Sequence, residues 1–137
     1  MIPENFQTQG SIYFQHGGLD LDLHNNYDFV GFRYSIAERS IDMEWVRSSG
    51  DWVDPRAPAQ LFLSLRGIAH LSAVARDPEM PFTEDDCLSS LCFLDPDMAV
   101  EYAFVSDDAD PSWHWFFLFQ SGFGLRVAGE TAHLSTK

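Results

Sequence analysis

Apolar and polar residues alternate with period two over much of the N-terminal half of the chain. Leu19, Leu21 and Leu23 are separated by Asp20 and Asp22, the pattern of a strand with one wet face. Asn25-Asn26 follows as a turn signal, because asparagine tolerates the positive φ of tight hairpins. Val30, Phe32, Tyr34 and Ile36 then alternate with Gly31, Arg33 and Ser35. Beyond the polar break at 37–40, Ile41, Met43 and Trp45 alternate with Asp42 and Glu44. Two such runs across a short break predict a β-hairpin.

Residues 48–59 read as a loop, broken by Gly50, Pro55 and Pro58 and carrying Trp52. Leu61, Leu63 and Leu65 start the next strand, and Gly67 allows a turn or bulge before a weaker strand over 68–75. One helix is predicted. Thr83 is its N-cap, Glu84, Asp85 and Asp86 suit the positive end of its dipole, and Phe82 and Cys87 are spaced for a hydrophobic staple. Leu88 and Leu91 give it an apolar edge and Pro96 stops it, so it is short and must dock on a sheet. Met98, Val100, Tyr102 and Phe104 alternate as a further strand, and 107–111 is a turn. Residues 113–119 are apolar on both faces, interrupted only by His114, which predicts a central strand covered on both sides. After a turn at 121–124, Leu125 and Val127 begin a last strand that runs on to Leu134. About eight strands and one short helix predict a mainly β, α+β domain: an antiparallel curved sheet, sandwich or roll with the helix on one face.

Composition agrees. The 137 residues match one domain, and 45% hydrophobic with 15% aromatic content, including 12 Phe, supplies an aromatic core suited to strands. The N-terminus has neither the basic residues nor the apolar run of a signal peptide. The longest apolar run, 115–119, is far shorter than the ~20 residues that span a bilayer. Cys87 and Cys92, placed on one helix, point to different faces and do not bridge. Free thiols without an export signal are expected of a soluble protein in a reducing cytoplasm.

Charge changes the picture more. The net charge is −13, and residues 77–110 hold eleven of the 21 acids with no Lys or Arg. Such a field opposes nucleic acid and anionic membrane, so neither is expected as a partner. It favours a basic protein. The residues expected to meet it are Glu84, Asp85, Asp86, Asp95, Asp97, Asp107, Asp108 and Asp110, with Trp52 as an aromatic contact or a lid over the core.

Catalytic and metal motifs are missing. Asp95-x-Asp97 with Glu101 lacks the fifth-position ligand and sixth-position glycine of a calcium loop, and Asp107-Asp108-x-Asp110-Pro111 has the composition of a solvated turn. His16, His24, His70, His114 and His133 show no zinc spacing. His114 is expected as a hydrogen-bonded core histidine, and the pattern leaves room for His70 to meet it. Ser121 in Gln-Ser-Gly-Phe-Gly is not a nucleophile elbow, and Gly122-x-Gly124 is not a dinucleotide loop. The acids beside Cys87 oppose a reactive thiolate. No catalytic residue, metal or cofactor is expected.

Three stretches carry a resemblance: His24-Asn25 leading to Ile41-Asp42-Met43-Glu44-Trp45; the run Leu61-Phe62-Leu63-Ser64-Leu65-Arg66-Gly67-Ile68; and the closing residues 121–134. The chain resembles small β-rich bacterial proteins of unknown function, some of them thought to be immunity proteins that neutralise polymorphic toxins. The likeness spans about two thirds of the chain, is one of pattern, and leaves out the acidic segment. It implies an inhibitor without catalytic residues. Charge and resemblance together put a non-enzymatic interaction protein first. A binder of small apolar ligands comes second, and a hydrolase with an unrecognised carboxylate pair last.

Overall fold

The computed structural model describes Met1 to Lys137. The alternating runs become strands: β4 (Leu19–Asp22), β5 (Tyr27–Ser35), β6 (Ser40–Arg47) and β7 (Gln60–Arg66). The hairpin β5–β6 forms as expected, pairing Tyr34 with Ile41 and Phe32 with Met43. The other strands are β1 (Ile2–Pro3), β2 (Gln7–Gln9), β3 (Tyr13–His16), β8 (His70–Val74), β9 (Leu88–Leu94), β10 (His114–Phe119), β11 (Gly124–Ala128) and β12 (Thr131–Thr136).

They make three sheets, ordered β1-β12-β7-β6-β5, β8-β11-β10-β9 and β2-β3-β4. Every ladder is antiparallel except the two-residue parallel pairing of β1 with β12. The two larger sheets share a bent ribbon. β7 pairs with β12 up to Arg66 and Thr131, and the same two chain segments pair again as β8 and β11 from His70 and Ala128. Gly67 and Gly129 make the corner: Gly67 sits at φ 67°, and a Cβ on Gly129 would lie 2.9 Å from the Arg66 carbonyl oxygen.

A core of 23 buried residues fills the space between the sheets. Trp45 on β6 and Phe117 on β10 meet at 6.5 Å across it, and Phe14 of the small sheet packs edge-on against Trp45. β10 is an interior strand, as its apolar pattern predicts.

Several elements differ from the expectation. The helix is a single 3₁₀ turn, Phe82–Asp86, preceded by Pro81 at the cap position with no side-chain cap, and Leu88–Leu94 is a strand. Leu91 and Phe93 face the core with Cys92 between them, so period two outweighed the helix-start signals of Thr83 and the acids. The staple does not form, because Phe82 is 80% exposed. The strand expected from Met98 to Phe104 is a 3₁₀ turn, Val100–Tyr102, with one β-bridge from Phe104 to Phe93. Residues 125–134 split into two strands in different sheets at the Gly129 corner. The three short strands before β4 bring the total to twelve against about eight expected.

Candidate functional site

β5 is the last strand of its sheet, and a β-bulge at Val30–Gly31 interrupts its ladder with β6. A bulge bends and twists an edge strand. Before the bulge, Phe29 packs on Trp45 and Phe119, whereas the large side chains from Val30 onward are exposed. Val30 is 57% exposed, Phe32 41%, Tyr34 44% and Ile36 78%. Four large apolar side chains in one exposed run are unusual for a lone domain.

The 3₁₀ turn Phe82–Asp86 stands beside the start of β5. Arg76 fixes it: Nε donates to both carboxylate oxygens of Asp85 at 3.0 and 3.1 Å, a terminal nitrogen donates to the Met80 and Pro81 carbonyls, and the guanidinium lies 4.5 Å from the Phe82 ring centroid. Between turn and strand opens a cleft of about 600 Å³. Phe29, Val30, Phe32, Phe82 and Phe123 form its apolar wall, and Asp85 and Asp86 its acidic one. Partial burial, then the neighbouring carboxylates of Asp28, Glu84 and Asp85, push the Asp86 carboxyl above its usual range. Arg76 neutralises Asp85, whereas Asp28 has the Ser48 hydroxyl as its partner at 2.8 Å. Negative charge thus converges on an apolar opening.

The other predicted residues lie elsewhere. Seven residues of β9, roughly 23 Å of strand, separate Asp86 from Asp95. Asp95 and Asp97 belong to a segment held by Arg126, whose guanidinium donates to the carbonyls of Asp95, Pro96 and Met98. Asp107 accepts from the Gly10 amide at 2.7 Å, tying its segment to the turn after β2, and Asp110 accepts from the Ser112 amide and hydroxyl, a local turn-stabilising role. Asp107 and Asp108 line a separate, polar cavity of about 540 Å³ with Glu4, Gln7 and Gln15. Trp52 is 71% exposed and donates from Nε1 to the Asn25 carbonyl at 2.9 Å. It covers no core. Of the acids of 77–110, only Asp85 and Asp86 line the apolar cleft, with Glu84 beside them in the same 3₁₀ turn.

No protein-family model, curated protein or solved structure matches the chain.

Two further clusters bear on chemistry. His70 and His114 do meet, with ring centroids 4.9 Å apart on the outer face of the β8–β11–β10–β9 sheet. Arg126 Nε donates to His114 Nδ1 at 2.9 Å, which makes that nitrogen an acceptor. Burial, then the charges of Arg126 and His70, hold the His114 pKa below its usual value. With its guanidinium bonded to carbonyls and an imidazole, Arg126 is committed to structure. Cys87 and His24 form the second cluster, Sγ lying 3.5 Å from Nδ1. That nitrogen is 2.7 Å from the Leu88 carbonyl, to which it donates, so it has no lone pair to take a thiol proton. Burial, then Asp86, Glu84, Asp28 and Asp22, push the Cys87 thiol up, against a nucleophilic role. No three His, Cys, Asp or Glu side chains gather as a metal site.

Sequence reasoning missed Asp28, the exposed side of β5 and the His24–Cys87 contact. The available signal was the alternation Val30, Phe32, Tyr34, Ile36, which reads identically whether its apolar face is covered or bare.

Proposed function

We propose that this chain is a non-enzymatic binding protein for a basic protein partner, of the immunity-inhibitor kind that the sequence pattern resembles, and that it docks through the cleft between β5 and the 3₁₀ turn. The observation that carries this reading is the convergence of Asp28, Glu84 and Asp86 beside exposed Val30, Phe32 and Phe82. Apolar area supplies affinity, and the uncompensated carboxylates supply speed and selection of a cationic partner. A small apolar ligand is the second reading, favoured by the phenylalanine wall of the cleft.

The test uses Asp28→Asn, Glu84→Gln and Asp86→Asn together. Asp85 is left intact, because its loss would strand the Arg76 guanidinium. A partner recovered with the parent protein should associate with this variant several-fold more slowly at low salt, and dissociation should change less. The difference should shrink as salt shortens the Debye length to about 8 Å at physiological ionic strength. Parental association at every salt concentration refutes the reading. Saturable one-to-one binding of a hydrophobic dye, insensitive to both salt and these substitutions, supports the small-ligand alternative instead.

A further inference from the structure

We propose that the partner binds by strand addition: an extended cationic segment of another protein pairs with the open edge of β5. The segment alternates basic and apolar residues, seats an apolar side chain in the cleft beside Phe82, and brings a Lys or Arg to Asp28 and Asp86. This rests on the reading that the partner is basic, and adds how it is held.

The register supports the mode. Arg47 at the end of β6 donates its amide to Ala59, on the β7 side. Alternation along β6 then turns Trp45, Met43 and Ile41 toward β7, and Val46, Glu44, Asp42 and Ser40 toward β5. Phe32 and Tyr34 face Met43 and Ile41, so their own N–H and C=O groups point away from the sheet. Two residues with outward-facing backbone and large exposed side chains are what an added strand reads.

The edge of β9 is closed, β8 is bare of such side chains, and the short edge strands β1 and β4 expose only one each, Ile2 and Leu19. The Phe93 and Phe104 backbones bond to each other at 2.8 and 3.0 Å, and the Leu91 amide donates to Ser11, which occupies the free side of β9. β8 exposes Ser72 and Ala73. β5 has no Lys or Pro, the usual guards of an edge, and its bulge lies before the open stretch.

Charge selects the occupant. A second copy carries another −13, which opposes its approach to the edge beside Asp28 and Asp86. A cationic strand meets carboxylates at the same place.

The probes are a short synthetic peptide alternating Lys and Val around one Phe, its alternately backbone-N-methylated form, and a Glu-for-Lys form. The Lys peptide should bind saturably and slow amide exchange at Phe32 and Tyr34 at least tenfold. Arg33 and Ser35, already bonded to β6, should change little. N-methylation and Glu substitution should each weaken binding at least tenfold. On the protein side, Tyr34→Pro removes an outward N–H and should lose tenfold relative to Tyr34→Ala. If the proline variant does not fold, the N-methyl comparison still decides. Equal binding of the methylated peptide, or protection elsewhere, overturns strand addition while leaving a basic partner in place. Equal binding of the Glu peptide, or no binding of the Lys peptide at millimolar concentration, overturns both. A parent protein that sediments as a dimer dissociated by Tyr34→Pro assigns the edge to a second copy and also overturns the proposal.

Discussion

Trp115 offers a test of the core in which two substitutions at one site should differ sharply. The side chain is fully buried on β10, with Phe6, Phe93 and Phe117 at ring distances of 6.2, 5.9 and 6.3 Å. Its indole N–H has no hydrogen-bond partner. Trp115→Ala removes the whole ring system and should cost about 3–5 kcal/mol, the usual loss for a buried large aromatic. Trp115→Phe keeps one ring in place. It opens a smaller void, costing about 1–2 kcal/mol, but removes an unsatisfied buried donor whose desolvation costs about 1–3 kcal/mol. The two terms nearly cancel, so Trp115→Phe should lie within about 1 kcal/mol of the parent. Urea unfolding followed by circular dichroism measures both, and an unchanged m-value would show that the denatured state is comparable. At about 2–4 °C per kcal/mol, Trp115→Ala should lower the melting temperature by about 6–20 °C, and Trp115→Phe should shift it by no more than about 2–4 °C. If the phenylalanine variant loses as much as the alanine variant, the indole N–H is bonded, for example to a buried water, and the cancellation is wrong.

Two other outcomes follow from named contacts. The lowered His114 pKa means that the unfolded chain takes up this proton first, so stability should fall as pH drops below the reference value of 6.5. His114→Gln, which keeps an acceptor for Arg126, should lose part of that acid-side decline in urea melts at stepped pH; an identical pH profile refutes the assignment. Gly129→Ala places a Cβ 2.9 Å from the Arg66 carbonyl oxygen and should destabilise by about 1–3 kcal/mol, whereas unchanged stability would show that the ribbon corner has slack.

The long alternating runs made β5, β6 and β7 legible, because period two needs a pleated, half-buried surface whatever the surroundings. Residues 82–94 were misread for a local reason. Thr83, three acids, Leu88 and Leu91 satisfy helix-start chemistry, but Leu91 and Phe93 gain more by filling the core from a strand paired with β10. Propensity is a weak prior against that burial. The split of 125–134 was hidden as well. Gly129 reads as a tolerated glycine until the Arg66 carbonyl is known to pass beside it.

The site was less legible, since its parts come from distant segments. Counting charge along the chain located eleven acids but not their grouping, and it missed Asp28, which sequence places outside the acidic run. Alternation had the converse fault. It assigned Val30, Phe32, Tyr34 and Ile36 to a strand, but period two says which residues share a face and nothing of what covers it. Burying a side chain of this kind fully yields about 1.5–3 kcal/mol, so leaving four of them 41–78% exposed forgoes part of that stability in the isolated domain. A surface covering even part of them has a substantial driving force available before any charge is counted. The carboxylates then decide which surface is admitted: by themselves they repel one another, and a cation near Asp86 relieves that repulsion while the apolar contacts form. Exposed hydrophobicity and unpaired acidity are each unfavourable for the free chain at this edge, and one partner that is both apolar and basic removes both.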